Sequence, residues 1–278
     1  MTKSLPLLAL ALTGAGAVLL ARGPQDAERH TEQDGEQDLA QALSGAGVQI
    51  DVEAGACAVE ALVTVTDDLL EYLLVAPHGA AHESLFTTMV DPEVLNAALL
   101  ALGVQAGSNA LWTLKDPPPS DAELRDGASP YEVTLPAGDG FFLYAAWREA
   151  EELFFYRVED LVRDLGRRRS MQRHRWVYLG SRTIVRTSTK EPAFAASVEG
   201  NLINIAFFSA GNTLLTAALE GCIQQTVWLP NAWLLPAFQS PVLFVFARRR
   251  LDVLPASLRA AVPEVEPEDA GSRWRSGR

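Results

Sequence analysis

The chain of 278 residues sets 35 acids against 23 lysines and arginines, a formal charge of -12. That sign excludes a general nucleic-acid binder, which needs a basic surface to neutralise phosphates. Two cysteines, Cys57 and Cys222, exclude a disulfide scaffold and an iron–sulfur cluster, which takes four thiolates.

Residues 1–21 read as a targeting segment. Lys3 supplies a positive start, Leu5 to Ala21 carries no charge, and Ala15-Gly16-Ala17 offers a small-residue cleavage site. A cleaved signal peptide and an uncleaved anchor through residues 5–21 both stay open; either places the remainder outside the cytoplasm, in the periplasm or an equivalent compartment. Residues 22–44 are polar and acidic, contain His30, and are expected to form a disordered linker.

The folded part opens with strands. Val48 to Val52 alternates, Glu53-Ala54-Gly55 turns, and Val59 to Val65 is β-branched. Leu69 to Val75 is a short apolar run fit for burial on both faces, so the three are expected to form a meander. Pro77 and Gly79 stop the third, and a loop holding His78, His82, Glu83 and Ser84 leads to a short strand, Leu85 to Met89. Asp91 then suits a helix cap, Pro92 the first helical position, and Gly103 the left-handed residue that ends the helix.

After Ala110 to Leu114, Pro117-Pro118-Pro119 makes a stiff connector, the best internal boundary, dividing 45–116 from 117–255. Tyr131 to Leu135 and Phe141 to Trp147 have strand composition. Arg148 to Leu165 fits a helix face or a hairpin, with strand then short helix favoured. Trp176 to Leu179 is a strand turned by Gly180-Ser181. Leu202 to Phe208 is a strand, Ser209 caps a helix from Thr213 to Leu219, and Val242 to Ala247 is the last strand before Arg248-Arg249-Arg250. Residues 256–278 are expected to be a solvated polar tail. The fold class is α+β, mainly antiparallel strands with a few short helices, and two similar strand–helix halves are an open option.

The motifs Glu71–Val75, His78–Ser84, Asp91–Gly103, Trp176–Ser181 and Glu199–Ile203 together resemble the YdjY-like domain proteins, a family of exported bacterial proteins. The resemblance covers Val48 to Ala247 and implies export, but no assigned activity. Some relatives carry a ferredoxin-like label, which two cysteines do not support. Relatives often place Gly-Lys before the His-Glu-Ser triplet, where this chain has Ala80-Ala81.

His78 and His82 are four apart, as zinc ligands are on a metalloprotease helix, but Pro77 and Gly79 oppose a helix and Glu83 follows His82 directly. The alternative is a polar loop in which His82 and Glu83 satisfy buried backbone groups. A second feature is the nine basic residues from Arg163 to Lys190, read as a solvated, self-paired run or as a contact with anionic lipid or cell wall. Trp228, Trp233 and Phe238 fit either binding or core packing. No cofactor is implied. The expectation is a non-catalytic extracytoplasmic binding or accessory domain whose partner is an envelope protein or small ligand; the alternative is a metal-assisted enzyme centred on His78, His82 and Glu83.

Overall fold

The computed structural model describes residues 38–266, and the chain divides at Leu39/Ala40, so that all that follows concerns the unit from Ala40 onward. The targeting segment and nearly all of the expected linker lie outside the described residues. Helix α1 (described over 38–45) leads to β1 (Val48–Asp51), β2 (Ala56–Val63), β3 (Tyr72–Val75), β4 (Ser84–Thr87) and helix α2 (Pro92–Ala101). Next come β5 (Leu111–Leu114), α3 (Asp121–Arg125), β6 (Tyr131–Thr134), β7 (Gly140–Glu149), β8 (Glu152–Arg157), β9 (Val162–Asp164), β10 (Arg169–Ser170) and β11 (Trp176–Tyr178). The chain continues through β12 (Thr183–Val185), β13 (Pro192–Phe194), α4 (Ala195–Glu199), β14 (Asn201–Asn204), β15 (Leu215–Thr216), β16 (Trp228–Pro230), β17 (Pro241–Ala247) and β18 (Glu264–Val265).

Eight of these strands close on themselves in the order β2-β17-β7-β11-β15-β14-β3-β4, and β4 returns to β2 through Leu62↔Thr87 and Val63↔Phe86. Eight strands enclose a bore that side chains just fill, and closure removes the exposed edges of an open sheet. The long strands dictate this. In β2, Cys57, Val59, Ala61 and Val63 face inward; in β7, Phe141, Leu143, Ala145 and Trp147 do; in β17, Val242, Phe244 and Phe246 do. Their alternate neighbours Ala56, Ala58, Tyr144, Ala146, Leu243, Val245 and Ala247 form a second layer outside, covered by Leu254, Leu258 and Val262. Burial on both faces is why these strands read as unbroken apolar runs. Inside, Phe86 meets Phe244 edge to face at 5.6 Å and Phe141 meets Phe246 at 6.2 Å, an arrangement aromatic quadrupoles favour.

The capped helix forms as its sequence dictates: the Asp91 side chain accepts from the Glu93 and Val94 amides, and Gly103 sits at φ +74°. Tyr178 then ties the barrel to it, donating to Asn96 Oδ1 at 2.6 Å. The ambiguous stretch resolves as a hairpin. Ala150 and Glu151 take φ of +49° and +69°, turning β7 into β8 before a 3-10 turn, Val158–Leu161.

The α+β class stands, and five finer expectations need correction. The three-strand meander fails because β4, not β2, pairs with β3, in parallel. Thr213–Leu219 is no helix: Thr213 donates to Asn204 Oδ1 at 2.6 Å and Asn204 Nδ2 donates to Thr216 at 2.9 Å, which fixes β15 beside β14. The proline connector separates no bodies, since β5 and β6 pair across it and β2 pairs with β17, β3 with β14. The linker ends early, because residues 38–45 are helical and Leu43 is buried. The tail begins late: Leu258, Val262 and Val265 are buried, and β18 pairs with β7. The pairing pattern of β3 and β4 recurs in β14 and β15. β4 is parallel to β3 and antiparallel to β2; β15 is parallel to β14 and antiparallel to β11, with β3 and β14 adjacent.

Candidate functional site

A groove opens where β2 changes partners. Along one edge β1 covers Ala56 to Val59 and β4 covers Leu62 and Val63, and beside the intervening Glu60 and Ala61 lies a cavity of about 680 Å³. Ala46 and Gly47 line it before β1, Thr87 to Val90 from the end of β4, and Pro77 and Ala81 bring the histidine loop to its wall. Two of its hydroxyls are committed inward, Thr88 donating to Glu60 O at 2.7 Å and Thr64 to Leu62 O at 3.1 Å, while the exposed side chains of Glu60 and Gln239 stand on the lining. Met89 stands at the rim, 83% exposed. A volume of this size, with an apolar lining and a few hydroxyls, is the form small-molecule sites take, roughly 300–1,000 Å³.

The histidine loop is divided between two duties. His78 Nε2 meets Ser197 O at 3.0 Å, and Asn201 Oδ1 accepts from the Ala80 amide at 2.9 Å, so the first half of the loop is fastened to α4 and β14. Gly79 is required there, since a Cβ would lie 2.6 Å from Gly200 O. His82 points away: its side chain is 82% exposed, 3.9 Å from Glu83. Among the described residues neither the His82 nor the Glu83 side chain hydrogen-bonds a backbone group, so the structural duty expected of these side chains belongs to His78 and Asn201. Ser84 is buried and donates to Phe86 O at 2.8 Å, which leaves no exposed hydroxyl for a nucleophile.

The structure adds Glu71 and Tyr72 to this end of the barrel. The Glu71 amide donates to Glu83 O at 3.0 Å. Burial first, then the charge of Glu83, raises the Glu71 carboxyl above its ordinary range, with His82 opposing; burial and the neighbouring carboxylates also raise the Tyr72 phenol. Strand membership had masked both residues, since in sequence they simply begin an apolar run. His78, His82 and Glu83 are not brought to one point, and among the described residues no three of His, Cys, Asp and Glu are placed to share a metal ion.

A second polar centre lay unmarked in the sequence. Arg157 holds Glu159 through two hydrogen bonds, of 3.0 and 2.5 Å, and Glu159 also accepts from Trp176 Nε1 at 3.1 Å and from the His174 amide at 3.2 Å. Glu159 is fully buried, and burial raises its carboxyl despite Arg157. His174 Nδ1 faces Gln172 O at 3.1 Å, so Nδ1 carries the proton; Nε2 is a buried lone pair with no hydrogen-bond partner among the described residues. Burial first, then the charge of Arg157, holds His174 down to about 4. The signal in sequence was a charge pair two residues apart beside Trp176, too common a pattern to single out.

The basic run disperses. Arg167 pairs with Asp164, Arg173 with Asp160, and Arg182 with Asn212, leaving Arg175 near Asp139 at 3.6 Å. Trp228 is buried, while Trp233 and Phe238 are 63% and 61% exposed. Cys57 and Cys222 are free, buried thiols, and burial pushes Cys222 up to about 12. No described helix is long and apolar enough to cross a membrane. Compared with protein-family models, curated proteins and solved structures, the chain matches none.

Proposed function

We propose that this chain is a non-catalytic extracytoplasmic binding domain, exported by its first 21 residues, whose groove beside β2 takes a small ligand with an apolar body. The observation that carries the reading is the 680 Å³ cavity at the partner change of β2, walled by the rigidly fastened half of the histidine loop. Binding needs shape and a few hydrogen-bonding groups held by fixed elements, and both are present. The resemblance to YdjY-like proteins belongs to the same proposal, as does the equivalence of the β3–β4 and β14–β15 units as two halves. An envelope partner would meet the exposed rim at Met89. A metal-assisted enzyme at His78, His82 and Glu83 has no geometry in its favour, because His78 is turned to Ser197 and His82 to solvent.

The test is a titration of the full chain with the neutral fluorophore N-phenyl-1-naphthylamine. Saturable emission is expected, weakened ~10-fold or more by Ala81→Trp or Ala46→Trp, which fill the groove from opposite walls. No saturable signal, or equal affinity in both variants, would overturn the groove. Export is checked by fusing residues 1–40 to a reporter active only outside the cytoplasm, with an inactive, cytosolic fusion as the contrary result.

A further inference from the structure

Two basic motifs of the sequence, the run around Arg175 and the triplet Arg248–Arg250, meet on the outside of the barrel at a single ring. The guanidinium carbons of Arg157, Arg175 and Arg250 lie over Phe142 at 5.2, 5.4 and 5.6 Å from its centroid. Strand register explains the convergence. Phe142 pairs with Ala247, three residues before Arg250; Trp176, next to Arg175, pairs with Phe141; and Arg157 pairs with Tyr144. Three separate elements thus deliver three cations to one half-buried phenylalanine, in a chain of formal charge -12.

Their counter-charges are unequal. Glu159 neutralises Arg157, and Asp139 is taken by Arg248 at 2.5 and 2.8 Å. Arg175 reaches the same Asp139 only at 3.6 Å, and its side chain is 45% exposed. Arg250 is exposed, and among the described residues no carboxylate pairs with it. Neither Arg175 nor Arg250 donates a hydrogen bond to another described residue. A guanidinium held near a ring by the ring quadrupole keeps its N–H donors available for the oxygens of an oxyanion. Four guanidiniums against two carboxylates leave the charge a phosphate monoester dianion would complete.

We propose that Arg175 and Arg250, gathered with Arg157 around Phe142, bind a phosphomonoester, whether a soluble phosphate ester or the headgroup of an anionic lipid. The site uses β7, β8, β11 and the segment after β17, none of which lines the groove, so it stands independently of the groove reading.

The full chain is titrated with glycerol 1-phosphate, and separately floated with phosphatidylcholine vesicles with and without phosphatidic acid. The double variant Arg175→Gln/Arg250→Gln and the single variant Phe142→Leu are measured alongside. The double variant is expected to lose ~10-fold or more in affinity, and Phe142→Leu several-fold, as the ring that gathers the arginines disappears. Raised salt should weaken the wild type, because both donors are exposed. Binding of glycerol 1-phosphate identifies a soluble-ester site; binding confined to phosphatidic acid vesicles identifies a headgroup site. Either result supports the proposal when lost in the double variant, whose unchanged N-phenyl-1-naphthylamine titration and melting temperature show that the fold is intact. Wild type binding neither probe, or the double variant binding as tightly as wild type, overturns it.

Discussion

His174 and His82 each sit beside a glutamate, at 3.6 and 3.9 Å, yet the two pairs are opposites. The side chains of His174 and Glu159 are 8% and 0% exposed and enmeshed with Arg157 and Trp176; those of His82 and Glu83 are 82% and 28% exposed. In water a histidine–glutamate pair gains little, because solvent screens it and both side chains lose rotamer freedom. In the barrel wall the same residue types are costly to disturb, since every charge there depends on a named partner. Density of polar letters in the sequence therefore pointed to the weaker of the two centres.

The largest effect that would break this contrast lies at Glu159. Glu159→Ala leaves Arg157 buried beside Trp176 without its carboxylate and is expected to cost about 3–5 kcal/mol in urea unfolding; a loss under 1 kcal/mol would mean the buried centre is no more demanding than the exposed one.

Acid sharpens the comparison next. His174 is held down to about 4 in the fold against an ordinary 6.5, so below 6.5 the unfolded chain binds the proton first. Stability from the neutral imidazole is whole above pH 6.5 and lost as pH falls toward 4, by up to ~3 kcal/mol. Glu159, raised by burial, contributes the other way, gaining as pH falls through its folded value. A His174→Gln variant isolates the first contribution: the stability gap between wild type and variant should narrow steadily from pH 6.5 to 4, and a constant gap would contradict the assignment.

The fastened half of the histidine loop should respond at an intermediate level. Gly79→Ala drives a Cβ against Gly200 O and is expected to cost about 1–3 kcal/mol in thermal melts. Asn201→Ala, which strands the Ala80 amide, should cost about 1–2 kcal/mol by the same measurement. Smallest are His82→Ala and Glu83→Ala, each within about 0.5 kcal/mol of wild type; a larger loss would show that the exposed pair carries structure after all.

Much of the local fold was legible because local physics decides it. The cap at Asp91, the left-handed Gly103, the alternation of β1 and the apolar runs of β7 and β17 depend on neighbours within a few residues. The failures share one cause. Thr213–Leu219 has helical spacing, but Asn204 and Thr216 hydrogen-bond to fix a strand there. Residues 256–262 adjoin a charged C-terminal stretch and carry no long apolar run, but Leu258 and Val262 pack on the outer layer of β17. In the candidate loop, the anchoring falls to His78 and leaves His82 to solvent, a division that sequence does not carry because it is set by distant segments, α4 and β14.

By itself, the sequence determined the α+β class, the punctuation of most strands and the net charge of -12, since composition, alternation and turn chemistry act along the chain. Only the tertiary structure decided that eight strands close into a barrel, that β2 changes partners at a groove, and that arginines from β8, from just before β11 and from the segment after β17 converge on Phe142. Those outcomes rest on strand register between segments separated in the chain, Leu62 with Thr87 and Phe142 with Ala247 among them, which no local periodicity encodes.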